Sequence, residues 1–328
     1  MEKIQTREDI MRMADAYRGS QMLFAAWDLG LFTALGAETL TSEEVAARVG
    51  ADARATDRLL NALVVAGLTE KEAGRFRNTA LGRQYLDRQS EDYLSNLGHI
   101  ANLYKRWATL PEAVRHGGRV TEHTLRSPEE TLVFIEAMHR RGRDNADKLI
   151  GLLDLSGVQR VLDVGGGSGV YSMAMCRARD GLTAVVFDVP QVTPLTRRYV
   201  AEAGMSERVT TMDGDYNEDD FGTEEFDLVF CSAIAHINSP GENQSIAERG
   251  AKALRPGGLL VVQDFVMSED RLTPEWGAVF ALNMLVNTQG GDCYTEAEIR
   301  GWQERVGLTD IQRINSGPST AMIIGRKA

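Results

Sequence analysis

The chain has 328 residues and a formal net charge of −11. That length suits two domains better than one, and the acidic balance argues against nucleic acid as a main partner. Its three cysteines, Cys176, Cys231 and Cys293, lie too far apart for a zinc or redox-pair spacing and fit free thiols in a reducing cytoplasm. The first residues are too charged for a secretory leader, and no apolar run approaches the length of a membrane span, so neither secretion nor a membrane partner is expected.

Residues 1–98 read as a compact helical domain. Leu23, Phe24, Trp27, Leu31, Phe32 and Leu35 form an apolar stripe, and Thr41-Ser42-Glu43-Glu44 is a capping box with Thr41 at N-cap and Glu44 at N3. Gly50 and Asp52 turn the chain into a helix that carries Leu59, Leu60, Leu63 and Val64 inward. Leu68 to Arg77, with Gly74 at its tip, is a hairpin. Helix, turn, helix and hairpin is the order of a winged helix. A DNA reader should show a basic footprint, yet Arg54 and Arg58 share their helix with Asp52 and Asp57, and the whole segment is net acidic. A packing or dimerisation module is the better reading. Residues 29–68 resemble the N-terminal dimerisation domain of the small-molecule O-methyltransferases, which implies a homodimer.

Residues 99–150 read as linking helices. Tyr104, Trp107 and Leu110 recur at three-residue spacing, Gly117-Gly118 interrupts, and Ser127-Pro128-Glu129-Glu130 starts a helix with proline at its first position. Phe134, Met138 and Ile150 would face inward. His99, His116, His123 and His139 have no spacing that suggests metal, and they are taken as structural or exposed.

From residue 151 to 328 strands and helices alternate, the pattern of a parallel sheet in an α/β domain. Residues 160–164 form a buried strand that ends in Gly165-Gly166-Gly167-Ser168-Gly169, and a helix begins near Ser168. Glycines there admit φ > 0 and close backbone approach, and the helix N-terminus offers unpaired N–H groups. Val170 stands where a dinucleotide fingerprint needs a small residue, and there is no P-loop lysine. Ala184 to Asp188 is a second strand ending in an acid. Two readings of Asp188 stand: a carboxylate that holds a ribose hydroxyl pair, or a cap for the next helix. Arg208 to Met212 is a third strand, leading to Asp213-Gly214-Asp215-Tyr216. Phe226 to Ser232 is a fourth, followed by Ala233-Ile234-Ala235-His236. After a helix over 241–254 and a turn at Arg255-Pro256-Gly257-Gly258, Leu259 to Asp264 is a fifth strand. A helix over 275–288, a break at Gly290-Gly291, a helix opening at Thr295 and a hairpin from 309–315 and 320–325 complete the chain.

The glycine run with its preceding Asp163 resembles the first motif of class I S-adenosylmethionine-dependent methyltransferases. The likeness to the O-methyltransferases of small molecules then covers nearly the whole chain. It implies a seven-stranded Rossmann-like sheet, mostly parallel with a terminal antiparallel hairpin, beside the winged-helix dimerisation domain. It also implies S-adenosylmethionine as methyl donor, held by Asp163, Gly165, Gly167, Asp188, Asp215, Tyr216 and Ser232. His236 matches the family's general base and Asp264 the acid that steadies it. Met138, Phe280, Met284 and Thr288 match positions that line the acceptor pocket. Two departures stand out. Ile237 and Asn238 follow His236 where the family has Asp-Trp, and a second glutamate carried by plant members near Cys293 is missing. A phenol of pKa about 10 facing an imidazole of about 6.5 makes His236 a proton acceptor during transfer, with no divalent metal required. The acceptor is expected to be a small aromatic or polyketide-like hydroxyl. Methylation at carbon or nitrogen, a non-catalytic binder of the donor, and a ligand-sensing DNA-binding regulator are the competing readings.

Overall fold

The computed structural model describes residues 3–121 and 128–328. The chain divides into two compact units, Met1–Tyr104 and Lys105–Ala328. His123 and Ser127 lie outside the described residues.

The first unit contains α1 (Arg7–Asp15), α2 (Tyr17–Asp28), α3 (Leu31–Leu35), β1 (Leu40–Thr41), α4 (Ser42–Val49), α5 (Ala53–Val65), β2 (Thr69–Glu72), β3 (Arg75–Asn78) and α6 (Ala80–Leu86). The capping box is formed as read: Thr41 accepts from Glu44 N–H at 3.2 Å and Glu44 accepts from Thr41 N–H at 2.7 Å. Asp52 caps α5. Ala73 and Gly74, both at positive φ, turn β2 into β3, as a two-residue hairpin loop demands. One strand escaped the sequence reading: two-residue β1 pairs with β3 at Leu40↔Phe76, which widens the hairpin into a three-stranded sheet. Leu31, Phe32, Leu35, Val45, Leu60, Leu63 and Phe76 form the core. Helix α1 buries none of its residues.

Helices α7 (Leu97–Trp107), α8 (Leu110–His116), α9 (Pro128–Arg143) and α10 (Ala146–Ile150) follow. The second unit is then built on β4 (Arg160–Val164), α11 (Val170–Ala178), β5 (Thr183–Asp188), α12 (Thr193–Glu202), β6 (Val209–Asp213), β7 (Phe226–Ser232), α13 (Pro240–Ala253), β8 (Leu254–Phe265), α14 (Glu275–Asn287), α15 (Glu296–Arg305), β9 (Leu308–Asn315) and β10 (Thr320–Lys327). Seven strands pair in the order β6-β5-β4-β7-β8-β10-β9. The first five are parallel, and β10 runs antiparallel between β8 and β9. Apolar clusters cover both faces of the sheet, which is why β4 and β7 read as continuous apolar runs.

The expected turn at 255–258 lies inside a strand. Leu254 already pairs with Phe226, and the ladder resumes with Leu259 opposite Leu228, so the extra residues are taken up in a bulge. Pro256 lacks an N–H to give the ladder and Gly257 sits at φ 80, which lets the strand buckle without ending.

The strand order reverses at β4, with β5 on one side and β7 on the other. Ligands of open α/β sheets bind beyond the carboxyl ends of strands at such a switch point. The glycine run follows β4, Asp188 ends β5, His236 follows β7 and Asp264 closes β8, so one edge of the sheet collects them all.

Candidate active site

The glycine run is a crowded turn. Gly165, Gly167 and Gly169 all take positive φ, and Gly169 in the left-handed region starts α11 two residues later than the sequence reading placed it. A Cβ at Gly166 would lie 2.6 Å from Asp163 Cγ, and one at Gly165 would lie 2.8 Å from Ile234 Cγ2 and 3.4 Å from the Tyr216 ring. Only glycine fits. Asp163 stands under the loop, fully buried, and accepts from Ser172 Oγ at 2.7 Å through Oδ2 while Oδ1 has no hydrogen-bond partner. Burial pushes its carboxyl up to about 7. It faces the loop from inside.

Asp188 ties the loop from the neighbouring strand. Its Oδ2 accepts from Gly167 N–H and its Oδ1 from Val189 N–H, each at 2.8 Å. Burial raises its pKa against those two bonds. The capping reading fails, because α12 begins at Thr193 with Val192 at its N-cap and no side-chain cap, while each Asp188 oxygen keeps a lone pair for a further donor. Tyr216 packs by the same turn, with burial pushing its phenol up to about 12. Asp215 is exposed and accepts from Asn217 N–H at 2.8 Å. Ser232 donates to Gln263 Oε1 at 2.6 Å.

His236 lies on a short 3-10 turn, Ala235–Ile237. Its Nδ1 is 2.7 Å from Asp264 Oδ1, its backbone N–H reaches Asp264 Oδ2 at 3.1 Å, and Phe265 N–H donates to Asp264 Oδ1 at 2.8 Å. The ring is 11% exposed and the carboxylate 2%. Three donors converge on one carboxylate, which accounts for its burial. An acceptor on Nδ1 puts the ring proton there and leaves the lone pair on Nε2.

The two sequence departures have structural counterparts. Asn238 is buried: its side chain donates to the Ile234 carbonyl at 2.9 Å, and its own carbonyl accepts from Tyr294 Oη at 2.5 Å. Those bonds brace the turn that carries His236. Cys293 is buried, and burial, aided by Asp264 and Asp292, pushes its thiol up to about 12. It is a neutral neighbour of Asp264.

Phe280 packs edge-on against His236 at 5.1 Å between ring centroids. The sequence reading missed its companions: Trp276 stacks on Phe280 at 4.6 Å, and Phe265 lies 5.9 Å from His236 and 4.8 Å from Phe280. Met284 is buried one turn on, and Thr288 ends α14, accepting from Gly291 N–H at 2.8 Å. Met138 stands on α9, 37% exposed. An i, i+4 pair of aromatics after an acid-ended strand was the available signal for Trp276, since Phe280 alone was singled out. Among the described residues no group of three or more His, Cys, Asp or Glu is placed to hold a metal ion.

A family profile described as the O-methyltransferase domain matches residues 107–309, and one for the O-methyltransferase dimerisation domain matches residues 11–88. The chain belongs to the O-methyltransferase family. Within that family it is 32% identical, over 94% of its length and 92% of the relative's, to 3-hydroxy-5-methyl-1-naphthoate 3-O-methyltransferase of Streptomyces sahachiroi. It is 30% identical, over 97% and 96%, to the tetracenomycin polyketide synthesis 8-O-methyl transferase TcmO of Streptomyces glaucescens. The structure of human N-acetylserotonin methyltransferase in complex with SAM superposes with a TM-score of 0.78 at 28% identity, covering 100% of this chain and 99% of that one. As a family member the chain is an O-methyltransferase, and no helix among the described residues is long and apolar enough to cross a membrane.

Proposed function

We propose that the chain moves a methyl group from S-adenosylmethionine to a hydroxyl of a small aromatic or polyketide-like molecule, with His236 as general base. The observation that carries this reading is the fixed His236–Asp264 pair at 2.7 Å beside an aromatic wall. The relatives that act on a naphthoate and on a tetracenomycin polyketide point to the same acceptor class.

The residues of the loop fit this donor. Glycines whose Cβ would collide with Asp163 and Ile234 leave bare backbone at the crevice. Asp188 offers a carboxylate for a ribose, and the Tyr216 ring beside Gly165 offers an aromatic face for a flat base. Asp163 shapes the loop from beneath, and Gly167, Asp215 and Ser232 complete the donor side. S-adenosylmethionine supplies an already activated methyl group on a sulfonium. The chain's own work is then to align the acceptor and take its proton. Alignment is worth about 7–11 kcal/mol in favourable cases. His236 Nε2, with its lone pair fixed by the bond at Nδ1, takes the hydroxyl proton, a contribution of roughly 10²–10⁴-fold. Asp264 stabilises the imidazolium so formed. Phe280, Met284, Thr288 and Met138 bound the acceptor.

Residues 1–98 serve as a dimerisation domain in this reading, with residues 99–150 linking them to a catalytic domain over 151–328. Helix α1 exposes Ile10, Met11 and Met13 at 57%, 52% and 56%, which a second copy of the chain would cover. The buried Cys176, Cys231 and Cys293 suit the cytoplasm.

The test is His236→Ala. Turnover with a phenolic acceptor falls by roughly 10²–10⁴-fold while S-adenosylhomocysteine still binds by calorimetry. Near wild-type turnover removes the general-base role; no binding by the wild-type chain removes the donor assignment.

A further inference from the structure

His139 does more than the sequence suggested. Its Nδ1 lies 2.9 Å from Ser168 Oγ in the glycine run, and its ring stacks on Tyr199 of α12 at 4.0 Å and 15°. Ser168 is 4% exposed. The contact belongs to a whole helix face. Ile135, His139 and Gly142 stand at i, i+4 and i+7 on α9, one stripe of a helix. A Cβ at Gly167 would be 3.7 Å from Ile135 Cδ1, and a Cβ at Gly142 would strike Val170 Cγ1 at 2.7 Å. Helix α9 therefore lies directly on the loop and on the first residue of α11, with a glycine where the approach is tightest.

The loop is held from the other sides as well. Thr196 of α12 donates to the Gly167 carbonyl at 2.5 Å and Asp188 accepts from Gly167 N–H. Ser168 is thus the one side chain of the run, and His139 is its partner. Burial and the nearby Arg143 lower the His139 pKa, with Glu202 opposing, which favours the neutral ring that a serine hydroxyl can pair with. The preceding residue, Met138, is the one assigned to the acceptor side, so a single turn of α9 serves both ligands.

We propose that His139 is a positioning residue for the methyl donor: through Ser168 it fixes the Gly165–Gly169 loop in the shape that receives the donor. This rests on the donor site proposed above. The histidine touches no reacting atom. Its effect is on donor affinity and on the KM for donor, with kcat nearly unchanged.

Two substitutions separate the hydrogen bond from the ring. His139→Phe keeps a ring for Tyr199 and loses the bond; His139→Asn loses the stack and keeps a polar atom near the place of Nδ1. Calorimetry with S-adenosylhomocysteine on the full chain should show His139→Phe weaker by roughly three- to tenfold, the size of one net hydrogen bond. His139→Asn should stay within about twofold of wild type in affinity, and the ligand-free Tm of His139→Phe should fall below that of His139→Asn, because the buried Ser168 hydroxyl loses its partner. If His139→Phe does not fold, Ser168→Ala removes the same bond from the other side and should weaken binding by the same factor. Wild-type affinity in His139→Phe, or equal weakening in both histidine variants, overturns the inference while leaving the donor site standing. Failure of the wild-type chain to take up S-adenosylhomocysteine overturns the donor site and this inference with it.

Discussion

Replacing Asp264 by asparagine tests the centre of the proposed mechanism with the least change of shape. In the native site Oδ1 takes His236 Nδ1–H and Phe265 N–H, and Oδ2 takes His236 N–H. An amide has one oxygen. It will keep the Oδ1 place, where it satisfies two donors, and turn its NH2 toward the His236 backbone N–H, whose bond at 3.1 Å is the longest of the three. The ring therefore keeps its proton on Nδ1 and its lone pair on Nε2. What disappears is the negative charge beside the imidazolium. Two unit charges about 4 Å apart interact by about 4 kcal/mol at an effective dielectric of 20, which converts to roughly 10³-fold in rate. One buried backbone donor is also left unpaired, at a cost of about 1–3 kcal/mol in stability. The assay is single-turnover methyl transfer from labelled donor at saturating acceptor, beside calorimetry with S-adenosylhomocysteine and a thermal melt. The expected outcome is a rate down about 10³-fold, donor affinity within about twofold, and a lower Tm. A folded Asp264→Asn chain whose rate stays within about tenfold of wild type would falsify the reasoning, because no buried countercharge would then be at work.

Two further predictions concern the loop. Gly166→Ala forces a Cβ to within 2.6–2.9 Å of the Asp163 carboxyl, so the loop must shift; S-adenosylhomocysteine binding should weaken by roughly five- to 150-fold, the equivalent of an overpacking cost of about 1–3 kcal/mol falling on the bound shape of the loop, and unchanged affinity would mean the turn is not the donor's cradle. Asp163 has a folded pKa raised to about 7 from 3.8. The folded chain therefore holds a proton there that the unfolded chain gives up, so this carboxyl's contribution is fully present below about pH 4 and is lost as pH rises toward 7. Asp163→Asn should flatten the fall in Tm between pH 5 and 7, and an unaltered slope would show that the carboxyl is ionised in the folded state.

Much of this was legible in the sequence because its signals are local. Strand β4 and strand β7 read as apolar runs whose ends were placed to the residue. The capping boxes at Thr41 and Thr295 state helix starts through side chains three residues apart. The pairing of His236 with Asp264 came from a resemblance, since nothing in the spacing of two residues on different strands declares it; the parallel ladder of β7 and β8 brings them together. What failed to show was long-range or conditional. Two-residue β1 exists only because Phe76 waits opposite Leu40. The Pro-Gly-Gly signal was real, but flanking pairs hold the strand on both sides of it. His139 looked idle because its partners lie on the glycine loop and on α12, far along the chain.

Helix α14 has an unusual freedom. It shares no ladder with the sheet: among its ties are side-chain bonds from Trp107 to Asn283 and from Arg106 to Asn287. The backbone pairing that places the glycine loop, Asp188 and the His236–Asp264 pair owes nothing to it. The stacked pair Trp276 and Phe280 on this helix is then open to exchange without disturbing the strand ladders, so on the proposed reading a lineage gains new methyl acceptors by editing one helix.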